Sequence, residues 1–338
     1  MSSALKLTVL DQSPVHPVSD QSEINNAGRM SIELAKTCDA LGYARYWVSE
    51  HHNSPQFAGP SPEILIAAIA SVTKHMRIGS GGVMLNHYSP FKVAEVFNML
   101  SALFPDRIDL GIGRAPGGDG LATAALAWPN EPQDGTHYPT QAATLKALLE
   151  SQIPKEHPWS SLHISPQHDT HPEMWMLGSS GGSAELAGQL GMNLALARFI
   201  APDHCNPEIF DAYSRAWDKA GHVSAPNRIL AIGAFCAETQ EQAELLASTA
   251  IYRKMMNSYG PKNNLMAPEV VQDKRRQFSV SQQAEYSHLL KGYTVGTPEQ
   301  CKSDIDALSK SFATNEIAIV TVTHDYAARQ ESYRLLMA

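Results

Sequence analysis

The sequence lacks the features that mark several large classes of protein. Its longest apolar run, Ile64 to Ala70, has seven residues, far short of the roughly 18 that read as a membrane-spanning helix. Cysteine is scarce: Cys38, Cys205, Cys236 and Cys301 lie far apart, with no pair at zinc spacing. That pattern gives neither a disulfide framework nor a zinc site, and it reads as a reduced, cytoplasmic chain. A single Lys precedes Asp11, which interrupts the first apolar run, so the N-terminal residues do not read as a signal peptide. Positive charge is in deficit, with 26 Lys plus Arg against 34 Asp plus Glu, a formal net charge of −8. This argues against a general binder of nucleic-acid phosphates. There is no His-x-His of a barrel metallohydrolase, so no metal is expected. Nor is there a Gly-x-Gly-x-x-Gly after the first strand, where the turn reads Asp11-Gln12-Ser13-Pro14.

What the 338 residues do contain is an alternation of strand-like and helix-like segments, with a hydrophobic content of 43%. The strands are expected at Leu5–Leu10, Tyr43–Ser49, Met76–Leu85, Arg107–Gly113, Glu173–Leu177, Met192–Ala197, Arg228–Ala237 and Glu316–Val322. Helices are expected between them, among them 24–41 closed by Gly42, one opened by Pro62, one opened by Pro90, a mainly helical 121–149, and one from Thr239. Eight such units in order predict one (β/α)₈ TIM barrel over residues 1–338, rather than two domains. Extra length falls in two places. Residues 154–172 hold four Pro and four His and read as an ordered loop. Residues 260–291, ahead of the last strand, read as a lid insertion or a surface helix pair.

Barrel chemistry sits at the C-terminal ends of the strands. Strand 2 ends in Glu50-His51-His52-Asn53. Alternation along a strand sends neighbouring side chains to opposite faces, so the two histidines cannot both face the barrel axis. Strand 3 carries Gly79-Ser80-Gly81-Gly82, where glycine allows either a flat ligand against the backbone or a β-bulge. Strand 4 ends in Gly113-Arg114-Ala115-Pro116-Gly117-Gly118-Asp119, with Arg114 suited to an anion. Strand 5 runs through Gly178 into Ser179-Ser180-Gly181-Gly182-Ser183 at a helix start. Free N–H groups and small hydroxyls there suit a phosphate, and the Gly-Lys-Ser/Thr ending of a P-loop is absent. His137-Tyr138 reads as a loop that could border the phosphate, and Lys274-Arg275-Arg276 as a solvated face or, through lid closure, a phosphate contact. Together the strand ends describe a flat, phosphorylated ligand beside an imidazole. FMN fits, but composition and spacing do not separate it from other phosphorylated ligands.

Five ordered pieces make that separation by resemblance. Trp47 to Asn53, Ile78 to Leu85, Arg107 to Arg114, Ser179 to Gly191 and Val295 to Cys301 resemble the bacterial luciferase-like flavin-dependent monooxygenases, over nearly the whole chain. The likeness is greatest to their single-chain branch with Gly-Arg-Ala-Pro-Gly-Gly-Asp after strand 4. The resemblance implies reduced FMN (FMNH₂) supplied by a separate flavin reductase. O₂ would be the co-substrate, a C4a-peroxyflavin the oxidant and a small organic molecule the substrate. It places the catalytic histidine on His51; Glu50, beside it in sequence, reads as its orienting partner or equally as a salt-bridging residue within the rim. Ser80, Gly81, Gly82, Arg114, Ser179, Ser180, Gly181, Gly182 and Ser183 would bind the cofactor, and a non-proline cis peptide would fall at Gly81–Gly82. A homodimer paired through early helices is also implied. One departure is Gly113, which stands where luciferase's large subunit has a reactive cysteine; that argues against a long-chain aldehyde substrate and light emission. Deazaflavin-dependent hydride transfer and non-catalytic FMN binding are the alternatives within the superfamily.

Overall fold

The parallel strands are β1 (Lys6–Asp11), β2 (Arg45–Val48), β3 (Arg77–Met84), β4 (Ile108–Gly113), β5 (Glu173–Gly178), β6 (Asn193–Ala197), β7 (Arg228–Cys236), β8 (Thr294–Gly296) and β9 (Glu316–Val320). They belong to a computed structural model that describes residues 4–15, 26–260 and 264–338. β1 to β7 and β9 pair side by side and close through β6–β7 into an eight-stranded barrel, while the three-residue β8 hangs on β7 outside the ring. The helices are α1 (Ala27–Leu41), α2 (Pro62–Val72), α3 (Pro90–Leu103), α4 (Gly120–Ala127), α5 (Tyr138–Leu149), α6 (Gly181–Leu190), α7 (Glu208–Ala220), α8 (Gln240–Met256), α9 (Pro268–Arg275), α10 (Val280–Lys291), α11 (Pro298–Ser311) and α12 (Tyr326–Leu336). The barrel read from the sequence is therefore the observed fold.

Local signals explain most boundaries. α1 stops at Gly42, whose φ of 89° is left-handed. The start expected for α1 at residues 24 and 25 lies outside the described residues. Pro62, Pro90, Pro268 and Pro298 each open a helix, where the missing N–H costs nothing. Thr239 caps α8 by accepting from the Gln242 N–H at 3.2 Å. The helical stretch expected over 121–149 is two helices, α4 and α5, because Pro129, Pro132 and Gly135 fall between them. Residues 154–172 form no helix or strand and are tied to α3, Asn98 Nδ2 donating to the Pro166 carbonyl at 2.7 Å. Residues 264–291 take the helix-pair form: α9 and α10 lie on α8, burying Val271 and Tyr286, and Phe278 stacks on Tyr252.

Period-two alternation divides each strand between two cores. Val9, Tyr46, Met176, Leu230 and Ile317 face the helices, while Leu10, Trp47, Trp175, Ala231 and Ala318 fill the barrel. The same parity places Thr8, Arg45, Asp109, Glu173 and Glu316 together at the N-terminal floor of the barrel. Arg45 donates to Asp109 at 2.7 Å, Glu173 at 2.9 Å and Glu316 at 2.9 Å. Asp109 is fully buried and also accepts from Trp47 Nε1 at 2.8 Å and Arg77 Nε at 2.7 Å. A second buried pair, Arg329 with Asp11 at 2.6 Å, ties α12 to β1. Arg45 and Arg329 thus have carboxylates against them, which offsets the cost of removing their charge from water.

Candidate active site

The tail of β2 continues the alternation past Val48, and this sorts its polar residues. Glu50 and His52 share one parity and bind each other, His52 Nε2 to Glu50 Oε1 at 2.6 Å. Tyr88 donates its hydroxyl to the same oxygen at 2.9 Å, and the Met84 N–H donates to Oε2 at 3.1 Å. Burial, with the Glu50 charge beside it, holds the Tyr88 hydroxyl well above the usual tyrosine range. His51 has the opposite parity. Its ring stacks on Phe57, with centroids 4.4 Å apart, and Phe57 lines a cavity at the barrel mouth. Glu50 is therefore the partner of His52 and not of His51, which corrects the orienting role expected for it. The parity rule that separated the two histidines also separates Glu50 from His51.

At the mouth β3 and β4 approach each other closely through glycines. The Gly81–Gly82 peptide is cis, at the expected position. The register with β4 slips between Gly81 and Val83, so the bulge reading of these glycines holds as well. A Cβ on Gly82 would lie 2.7 Å from the Gly111 carbonyl oxygen and 2.6 Å from Leu177 Cδ1. Only glycine allows that approach. Ser80 does not serve the mouth with its side chain. Its hydroxyl is buried, donating to the Gly111 carbonyl at 2.8 Å and accepting from the Gly111 N–H at 3.1 Å. It staples β3 to β4, which corrects its expected place among the cofactor contacts. The loop after β4 folds back over the β2 tail at Gly117, φ 63°, whose carbonyl accepts from the His52 N–H at 2.8 Å.

The ends of β4 and β5 carry the residues expected to bind an anion. Two residues beyond the paired Ile112 and Met176 stand Arg114 and Gly178. The Arg114 side chain is exposed and its guanidinium has no hydrogen-bond or ion-pair partner among the described residues. It runs over Gly135 beside Tyr138, whose buried hydroxyl also lacks a partner among them. Burial pushes that hydroxyl above its usual range, with the Arg114 charge opposing. On β5, Ser180 is the N-cap of α6 in extended conformation, yet its hydroxyl caps nothing. A Cβ on Gly181 or Gly182 would meet no atom within 4 Å, so the first turn of α6 opens onto free space. Ser183 lies over Gly178. Ser179 to Ser183 and Arg114 thus stand on neighbouring strand ends, as the sequence implied. Tyr138, read from the sequence as part of a loop that could border the phosphate, is the first residue of α5. Its signal was a tyrosine directly before Pro139 at a helix start.

The opposite half of the mouth is a cavity of about 260 Å³ between the ends of β1, β6, β7 and β9 and the C-terminal part of α8. Gln12, Phe57, Phe199, Phe235, Arg253, Tyr293, Val320 and Val322 line it. Sequence reading missed Phe57 and Arg253, which belong to this site only through the closure of the barrel. A larger hollow of about 470 Å³ lies by Leu5–Leu7 and Ala44, at the N-terminal ends of the strands and away from this chemistry. No helix of the described residues is long and apolar enough to cross a membrane, and none of their His, Cys, Asp and Glu side chains form a group of three that could hold a metal.

Comparison with known proteins agrees with this geometry. Residues 6–315 match the family model for luciferase-like monooxygenases. The Bacillus subtilis protein YwcH is 39% identical, over 98% of each chain. The N-acetyl-S-alkylcysteine monooxygenase of B. subtilis is 33% identical, over 98% of this chain and 97% of its own. Among solved structures, apo-MsnO8 superposes with a TM-score of 0.87 at 36% identity, covering 98% of this chain and 97% of that one.

Proposed function

The chain belongs to the luciferase-like monooxygenase family, and from that membership we propose that it uses reduced FMN and O₂ to oxygenate a small organic substrate at the barrel mouth. The observation that carries the cofactor reading is the set of unclaimed polar groups at the β4 and β5 ends. The Arg114 guanidinium, the buried Tyr138 hydroxyl, the Ser180 hydroxyl and the uncapped first turn of α6 all await an anion. A phosphate monoester would satisfy them, with Ser179 and Ser183 as further donors. The Gly81–Gly82 backbone, packed against Leu10, Trp47 and Leu177, would support the flavin ring. When bound, reduced flavin supplies the two electrons that activate O₂. His51 supplies or removes the proton that the oxygen transfer requires, an imidazole having one nitrogen that donates and one that accepts. Phe57 fixes the ring's plane by stacking. Glu50, His52 and Tyr88 hold the β2 tail against Met84, which positions His51 without touching it.

FMN is favoured over a deazaflavin because a relative 33% identical is named a monooxygenase, and hydride transfer from a deazaflavin uses no oxygen. The absence of a nicotinamide-binding turn favours a separate flavin reductase as the source of FMNH₂. That relative's name makes thioethers of N-acetylcysteine the first substrates to try. Arg114→Ala is expected to weaken FMN binding by about 10- to 100-fold, the worth of a charge-assisted hydrogen bond to phosphate, and to leave riboflavin binding unchanged. Equal FMN affinity in wild type and variant, by fluorescence-quenching titration, would remove Arg114 from the site.

The protein is proposed to pair as a homodimer through α2 and α3. These helices touch each other and expose Ile64, Val72, Met99 and Leu103, more apolar side chains than a free surface needs. Sedimentation equilibrium is expected at twice the chain mass of 36.8 kDa; monomer mass at micromolar concentration would contradict the pairing.

A further inference from the structure

Arg253 stands out among the buried arginines of this barrel. It projects from α8, is 8% exposed, and lines the mouth cavity. Arg45 has three carboxylates within 2.9 Å and Arg329 has Asp11. The Arg253 guanidinium has no hydrogen-bond or ion-pair partner among the described residues. It lies over the face of Phe57, with Cζ 5.1 Å from the ring centroid. Burial lowers its pKa to about 10, opposed by Tyr293, which leaves it charged at neutral pH. The adjacent Lys254 is already used, donating to the carbonyls of Phe199 at 2.8 Å and Ile200 at 3.2 Å. A buried charge without a counter-ion is costly, and an apolar side chain of equal size would remove the cost. Retaining an arginine there makes sense when an anion arrives through the cavity.

The flavin phosphate is not that anion on the present reading, because its groups stand at the β4 and β5 ends and none of them lines this cavity. The cavity instead has an apolar wall of Phe57, Phe199, Phe235, Val320 and Val322, and it adjoins His51 through Phe57. We propose that Arg253 determines substrate class: its guanidinium fork holds the carboxylate of a substrate whose apolar body fills this cavity, next to His51. A planar fork and a planar carboxylate pair bidentately, which fixes orientation as well as affinity. The inference rests on the reading of the barrel mouth as the oxygenation site, and its test is separable from that reading.

The test is calorimetric binding to the full-length protein, with and without FMN. The probes are 4-phenylbutyrate and N-acetyl-S-benzylcysteine, each paired with its uncharged primary amide. Wild type is expected to bind each acid at least about tenfold tighter than its amide. Arg253→Met is expected to abolish that preference and Arg253→Lys to keep part of it, while FMN affinity stays within about twofold in both. Equal affinity for acid and amide in wild type overturns the proposal, and this needs no variant to fold. Preference surviving in Arg253→Met also overturns it. A parallel loss of FMN affinity in Arg253→Met would make Arg253 a flavin ligand instead. If wild type discriminates acid from amide but binds no FMN, the carboxylate site stands and the cofactor reading fails.

Discussion

Alanine at position 51 is expected to lower oxygenation by about 10²- to 10⁴-fold, the usual contribution of a positioned acid or base, while FMN affinity stays within about threefold. The expectation follows from how the β2 tail is built. Glu50 and His52 satisfy each other and are held by Tyr88 and the Met84 N–H, so the tail keeps its course when the His51 imidazole is removed. The loss is then confined to the one ring on the mouth side, stacked on Phe57. Turnover is measured with FMNH₂ from a separate reductase and whichever acid of the binding panel wild type oxidises best. A glutamine at position 50 provides the contrast: it loosens the tail, and its effect on turnover should accompany a loss of thermal stability, which His51→Ala should not show. Normal turnover in His51→Ala would take the imidazole out of the chemistry.

Asp109→Ala is expected to cost about 3–5 kcal/mol of stability, the usual loss when one member of a buried ion cluster is removed. Asp109 has no exposed surface and accepts from Arg45, Arg77 and the Trp47 indole. Its removal leaves the indole N–H and part of two guanidinium groups without an acceptor inside the barrel floor. Asp109→Asn keeps an acceptor oxygen in place and should cost less. Denaturant-unfolding midpoints for the two variants decide the matter, and a loss below about 1 kcal/mol for alanine would mean that Glu173 and Glu316 suffice. The cluster lies on the face away from the mouth, so flavin binding by the folded variant should be unchanged.

How far the sequence carried this account differs from one part of the chain to another. The barrel was legible because each strand alternates or runs apolar and each helix has a cap or an opening proline. β8 was not, because Thr294-Val295-Gly296 is too short to show a period and pairs with β7 only after α8 to α10 have folded between them. The Gly81–Gly82 and Ser179–Ser183 segments were legible because they break the rules of their elements: glycine in a strand, bare hydroxyls at a helix start. Glu50 was legible only as two alternatives, and strand parity decides for the rim contact with His52 over the one with its sequence neighbour His51. Ser80 misled because a hydroxyl between glycines suggests a ligand contact, whereas the β3–β4 crossing uses it internally. Tyr138, Phe57 and Arg253 carry no local signal of comparable strength. They reach the mouth from the start of α5, a βα loop and the helix after β7, and only barrel closure brings them to the strand ends.

The central claim is that the β4 and β5 ends hold the phosphate of reduced FMN. Its most direct measurement is an anaerobic equilibrium titration of the wild-type protein with photoreduced FMN and, separately, with photoreduced riboflavin, which differs by lacking the phosphate. The account predicts that reduced FMN binds at least about tenfold tighter. Equal affinity for the two, or no binding of either, would contradict it.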